Sequence, residues 1–118
     1  MSKATLYHNP NCGTSRNTLA AIRAAGIEPE VVEYLKVGWT KPLLQQLLKT
    51  MKLKPRDILR VRGTTAEALG LTDLDVSDET ILSAMIADPV LVERPIVVTD
   101  KGAALCRPVE VVRTLLPD

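Results

Sequence analysis

The sequence predicts an α/β domain on a mixed sheet, ordered βαβ, then helices, then ββα. Three observations lead there. A short apolar run is followed by helical and then strand periodicity, a leucine stripe at helical spacing fills the middle, and two short apolar runs joined by a turn lie near the end. At 118 residues the chain is close to the commonest size of one domain and can bury a core without disulfide staples, so a single domain over 1–118 is expected.

Residues 4–7 (Ala-Thr-Leu-Tyr) read as a strand, stopped by the loop-forming Asn-Pro-Asn-Cys-Gly segment. A helix is expected from Ser15 to Ala25. Leu19, Ile22 and Ala24 or Ala25 form its inner stripe, Thr14 or Ser15 its N-cap, and Gly26 its stop. Residues 30–34 form the next strand, and a helical crossover between neighbouring strands makes them parallel. Thr40 then precedes a helix carrying Leu43, Leu44, Leu47, Leu48 and Met51, with Pro42 tolerated in its first turn. Shorter helical pieces are expected over 55–60 and over 65–69, the second ending at Gly70. Ser77-Asp78-Glu79 opens a further helix with Ile81, Leu82, Met85 and Ile86 inward, closed by Asp88-Pro89 and expected to pack on the sheet. Residues 95–99 and 103–106 flank the turn Asp100-Lys101-Gly102 as an antiparallel hairpin, and Val109, Val112 and Leu115 or Leu116 give a closing helix after Pro108. This order is that of a thioredoxin-like fold with a helical insert between its halves.

Fifteen Lys and Arg against fourteen Asp and Glu leave a net charge of +1, which points to neither nucleic acid nor an acidic membrane as partner. Any attraction for anions is local. The first apolar run is too short for a signal peptide and no run reaches the length of a membrane span, so a soluble, cytoplasmic protein is expected.

Cys12 stands in a polar loop directly before the first helix, where free backbone N–H groups and the positive end of the helix dipole favour thiolate. His8, the only histidine, and Arg16 are near enough in sequence to add positive potential or hydrogen bonds. A hydroxyl of Thr14 or Ser15 can hydrogen-bond the sulfur. Together these predict a Cys12 pKa below about 7. The spacing from Cys12 to Ser15 is that of Cys-x-x-Cys with serine in second place, so no resolving thiol exists inside the motif. Cys106 ends an apolar strand and reads as buried and inert, which makes an external thiol such as glutathione the better second thiol. His8, Cys12 and Cys106 lack the spacing of a zinc framework, so no bound metal is expected.

The run from His8 to Asn17, His-Asn-Pro-Asn-Cys-Gly-Thr-Ser-Arg-Asn, closely resembles the active-site loop of the glutaredoxin-dependent arsenate reductase family. The resemblance continues through Leu59-Arg60, through Glu93-Arg94-Pro95-Ile96-Val97-Val98 and through Leu105-Cys106-Arg107-Pro108, and so covers nearly the whole chain. It implies a thioredoxin-like fold, Cys12 as nucleophile, Arg60, Arg94 and Arg107 around an anion site, and a cis bond before Pro95. It further implies reduction of arsenate to arsenite through a thiol–arsenate adduct, with glutathione as co-substrate, glutaredoxin as a transient partner and no bound cofactor. Two other readings stand beside it: a glutathione-dependent reductase of another substrate, and a redox-regulatory protein-binding module. A disulfide substrate would not require the three arginines, and a Cys-x-x-Cys switch would need a cysteine where Ser15 stands.

Overall fold

The computed structural model describes residues 3–117. Gly38–Glu93 forms one compact unit, and the chain on either side of it forms the other.

The flanking unit holds the sheet. Its strands are β1 (Ala4–Tyr7), β2 (Glu30–Val32), β3 (Ile96–Thr99) and β4 (Gly102–Leu105), in the order β2-β1-β3-β4. β1 runs parallel to β2 and antiparallel to β3, and β3 and β4 make the expected hairpin. Two neighbours of β1 therefore come from opposite ends of the sequence. Ala4 and Leu6, two apart on β1 and so on one face, join Ile22, Val97, Cys106, Val112, Leu115 and Leu116 in a buried cluster. Ile22 belongs to α1 (Gly13–Ala24), which packs against the terminal 3-10 segment Val109–Leu115.

Several expected details differ. Helix α1 starts two residues before Ser15, with Cys12 rather than Thr14 or Ser15 as N-cap. Ala24 and Ala25 are exposed, and buried Thr18 and part-buried Ala21 complete the inner stripe instead. Gly26 does end the helix: its φ of 84° is the left-handed conformation that frees it to turn away. β2 stops at Val32 because Tyr34 already begins α2 (Tyr34–Val37). The closing helix is 3-10 throughout. It begins after a cis Arg107–Pro108 bond, and the expected cis bond between Arg94 and Pro95 is present.

The inserted unit contains α3 (Lys41–Met51) and α4 (Asp78–Ala87). Thr40 caps α3 by accepting the Leu43 N–H at 3.3 Å, and Ser77 caps α4 by accepting the Thr80 N–H at 3.1 Å. Leu44, Leu47 and Leu48 of α3 and Ile81, Leu82 and Met85 of α4 are buried. Within the inserted unit, helix α4 packs on α3 and on the 3-10 segments Pro55–Ile58 and Pro89–Leu91. An amphipathic stripe shows that a helix has an inner face but not what covers it. Residues 65–69 form turns, not a helix: one bond from Leu69 N–H to Thr65 O is made, and Gly70, at φ 73°, then reverses the chain.

Ile22 has no exposed surface, so Ile22→Ala is expected to lower the unfolding free energy by about 2–5 kcal/mol. Leu74→Ala, at a side chain 93% exposed, should change it by less than about 0.5 kcal/mol. Urea titration separates the two. Equal effects would mean that Ile22 does not belong to a packed core.

Candidate active site

The strand register gathers the chemistry at one end of the sheet. Tyr7 is opposite Ile96, and Ile96 is opposite Leu105. The residues just beyond those positions are therefore neighbours in space: His8 to Cys12 after β1, Arg94-Pro95 before β3, and Cys106-Arg107 after β4. The Cys106 N–H donates to Pro95 O at 2.9 Å and the His8 N–H to Val32 O at 2.8 Å, which ties these segments beyond the strands.

Cys12 is 9% exposed and holds an extended conformation, φ −103° and ψ 121°, as the N-cap of α1. Burial pushes its pKa up, but the Ser15 backbone N–H and the guanidiniums of Arg94 and Arg107 more than offset this, lowering it from 9.0 to about 7. That lies at the upper edge of the expected range. The Cys12 side chain makes no capping hydrogen bond of ordinary geometry, and the Ser15 N–H is the backbone donor that acts on its sulfur. Arg107 Nη1 is 3.7 Å from Cys12 Sγ and donates to Arg94 O at 3.0 Å, so one guanidinium group touches both the sulfur and the backbone of the other arginine. Within Arg94 itself, Nε and Nη1 are buried with no hydrogen-bond partner. Buried unpaired guanidinium N–H groups are costly and rare, and here they belong to a residue that acts on the cysteine.

The expected thiolate support is redistributed. The Ser15 hydroxyl does not serve Cys12: it lies 2.6 Å from His8 Nδ1 and accepts the Asn9 N–H at 3.1 Å. His8 is buried, and burial lowers its pKa, so near neutral pH it is an uncharged hydrogen-bonding group rather than a source of positive potential. Arg16 is exposed and donates to Pro10 O at 2.9 Å, where it ties down the loop. Thr14, half-buried in the first turn of α1, offers its carbonyl to the Thr18 hydroxyl at 2.8 Å. Arg60, the third expected anion ligand, belongs to the inserted unit and pairs there with Glu93 at 2.8 Å. Cys106 is fully buried, and burial pushes its thiol up to about 12.

One residue had no expected role. Asn9, 5% exposed, accepts the Cys12 N–H on its carbonyl and the Asn11 N–H on Oδ1, both at 3.0 Å. Asn-Pro-Asn is a turn sequence with an asparagine placed to bond its own backbone two residues on, so the signal was present.

The arrangement is a cysteine near half ionisation beside two arginines, one of which keeps free N–H groups. It can attack an electrophilic centre that carries anionic oxygens.

Comparison with known proteins agrees with that chemistry. The model of the ArsC family matches residues 7–115. An arsenate reductase of Rhizobium meliloti (strain 1021) is 53% identical over 114 residues, which is 97% of this chain and 81% of that protein. An arsenate reductase of Escherichia coli is 47% identical over 118 residues, covering 100% of this chain and 84% of that one. The solved structure of an arsenate reductase from Vibrio cholerae matches with a TM-score of 0.91 and 36% identity, over 97% of this chain and 98% of that chain.

Proposed function

The chain belongs to the ArsC family, and from that membership and the geometry around Cys12 we propose that it is an arsenate reductase with Cys12 as nucleophile. The observation that carries this reading is the pairing of an activated thiol, near pKa 7, with the unpartnered Nε and Nη1 of Arg94. Arsenate is a tetrahedral oxyanion, and a guanidinium offers such oxygens several permanently charged donors fixed in one plane. The Cys12 thiolate forms a bond to arsenic(V), and one As–O bond breaks, its oxygen leaving as water once protonated. Arg94 and Arg107 stabilise the charge on the remaining oxygens. The inserted unit carries Arg60, paired with Glu93, and the reading rests on Arg94 and Arg107 alone.

Arsenic gains two electrons in becoming arsenite, and they come from two thiols that end as a disulfide. Cys106 is fully buried and almost wholly protonated near neutral pH, so the second thiol comes from outside the chain. Glutathione is that thiol: it attacks the adduct, and glutaredoxin completes the turnover and restores Cys12. Among the described residues no helix is long and apolar enough to cross a membrane.

The purified protein, mixed with glutathione, glutaredoxin, glutathione reductase and NADPH, should consume NADPH only when arsenate is added, and arsenite should accumulate in equal amount. Consumption with a disulfide or peroxide but not with arsenate would transfer the site to another substrate.

A further inference from the structure

The loop that carries Cys12 depends on one buried side chain to which the proposed chemistry gives no part. Asn9 is anchored from behind, since its N–H donates to the fully buried Ser15 hydroxyl at 3.1 Å. It then holds the loop twice. Its carbonyl accepts the Cys12 N–H at 3.0 Å, closing a four-residue turn with Pro10 in the position that favours such a turn, and its Oδ1 accepts the Asn11 N–H at 3.0 Å inside that turn. The turn delivers the chain to Cys12, whose carbonyl accepts the Arg16 N–H at 3.0 Å as the first bond of α1. Cys12 is thus fixed from both sides, by the turn before it and by the helix after it.

We infer that Asn9 is a positioning residue for the Cys12 sulfur: its side-chain oxygen locks residues 9–12 in the turn that sets the sulfur beside the Arg107 guanidinium. Nothing else in the set of bonds made by Asn9 needs a side-chain acceptor, because its N–H and carbonyl are backbone groups that any residue supplies. The amide oxygen is therefore specific to the turn. Its loss frees the N–H of Asn11, which is exposed and can bond water instead, so the fold tolerates the change. The loop does not: with the inner bond gone, the sulfur samples positions away from the groups that hold it ionised, at a contact already as long as 3.7 Å.

The inference rests on the proposed role of Cys12, and its first readout needs no arsenate. In a Cys106→Ala background, the rate of alkylation by iodoacetamide is followed against pH for the parent, Asn9→Ala and Asn9→Ser. Asn9→Ala should move the midpoint up by about one unit, which from a parent value of about 7 lowers the thiolate fraction at pH 7 by about fivefold. Asn9→Ser, whose hydroxyl can accept the same N–H, should restore part of the shift. In the arsenate assay kcat should fall at pH 7 and recover at alkaline pH, with KM little changed. If Asn9→Ala does not fold, Asn9→Leu fills the same volume without an acceptor and carries the same test. A folded variant without the acceptor whose midpoint equals the parent's would overturn the inference, and so would a loss of kcat that alkaline pH does not recover. An inactive parent protein would sink the reductase reading alone.

Discussion

Replacing Cys12 by serine is expected to remove arsenate reduction, by at least about a thousandfold, while the protein folds normally. A serine hydroxyl stays protonated at any pH at which the protein survives, so neither the Ser15 N–H nor the two arginines can convert it into a nucleophile. These groups lower a pKa by interacting with negative charge, and they bring Cys12 to about 7 only because a thiol starts at 9.0. The matching expectation is that Cys106→Ala keeps turnover within about threefold, since a thiol pushed up to about 12 supplies almost no thiolate near neutral pH. Alanine is the better replacement at a fully buried position, where a serine hydroxyl would require a new partner. Steady-state rates with saturating glutathione and glutaredoxin decide both. A folded Cys106→Ala protein without activity would mean that the second thiol is internal after all, and the one-cysteine mechanism would fail.

What the sequence disclosed about this site follows a physical division. Strand and helix periodicity, the loop before α1 and the hairpin at Asp100-Lys101 depend on neighbours along the chain, and they were legible. The position of Cys12 at a helix N-terminus is local in the same sense, and its lowered pKa was expected. Which groups lower it was less legible. Ser15 was expected to act through its hydroxyl, but that hydroxyl is engaged by His8 and the Asn9 N–H, and it is the Ser15 backbone N–H that serves the sulfur. Of the two parts open to His8, positive potential or a hydrogen bond, burial removes the first and the contact with Ser15 supplies the second. Both outcomes depend on burial and on the pairing of segments distant in sequence, which no local pattern encodes. Arg94 and Arg107 meet Cys12 because β3 and β4 pair at the same register end as β1, and only the family resemblance anticipated that.

Removing Arg94 should cost more than its effect on the thiol. Arg94→Ala takes away one of the two guanidiniums that lower the Cys12 pKa, so the alkylation midpoint should rise from about 7 toward 8. A shift of that size lowers the thiolate fraction at pH 7 by only about fivefold. Turnover should nevertheless fall by about a hundredfold to a thousandfold, because Nε and Nη1 are also lost as preorganised donors to the oxyanion in the transition state. The excess should survive at alkaline pH, where the thiol is fully ionised in both proteins. Arg94→Lys separates the two contributions further. Its ammonium keeps the positive charge and should hold the midpoint within about half a unit of the parent, but it cannot present N–H donors fixed in a rigid plane to a tetrahedral anion. Turnover by Arg94→Lys should therefore remain at least about tenfold below the parent although the sulfur is ionised to nearly the same degree. Full recovery of turnover in the lysine variant would show that Arg94 serves the sulfur alone, and the oxyanion would then have to be held by other groups.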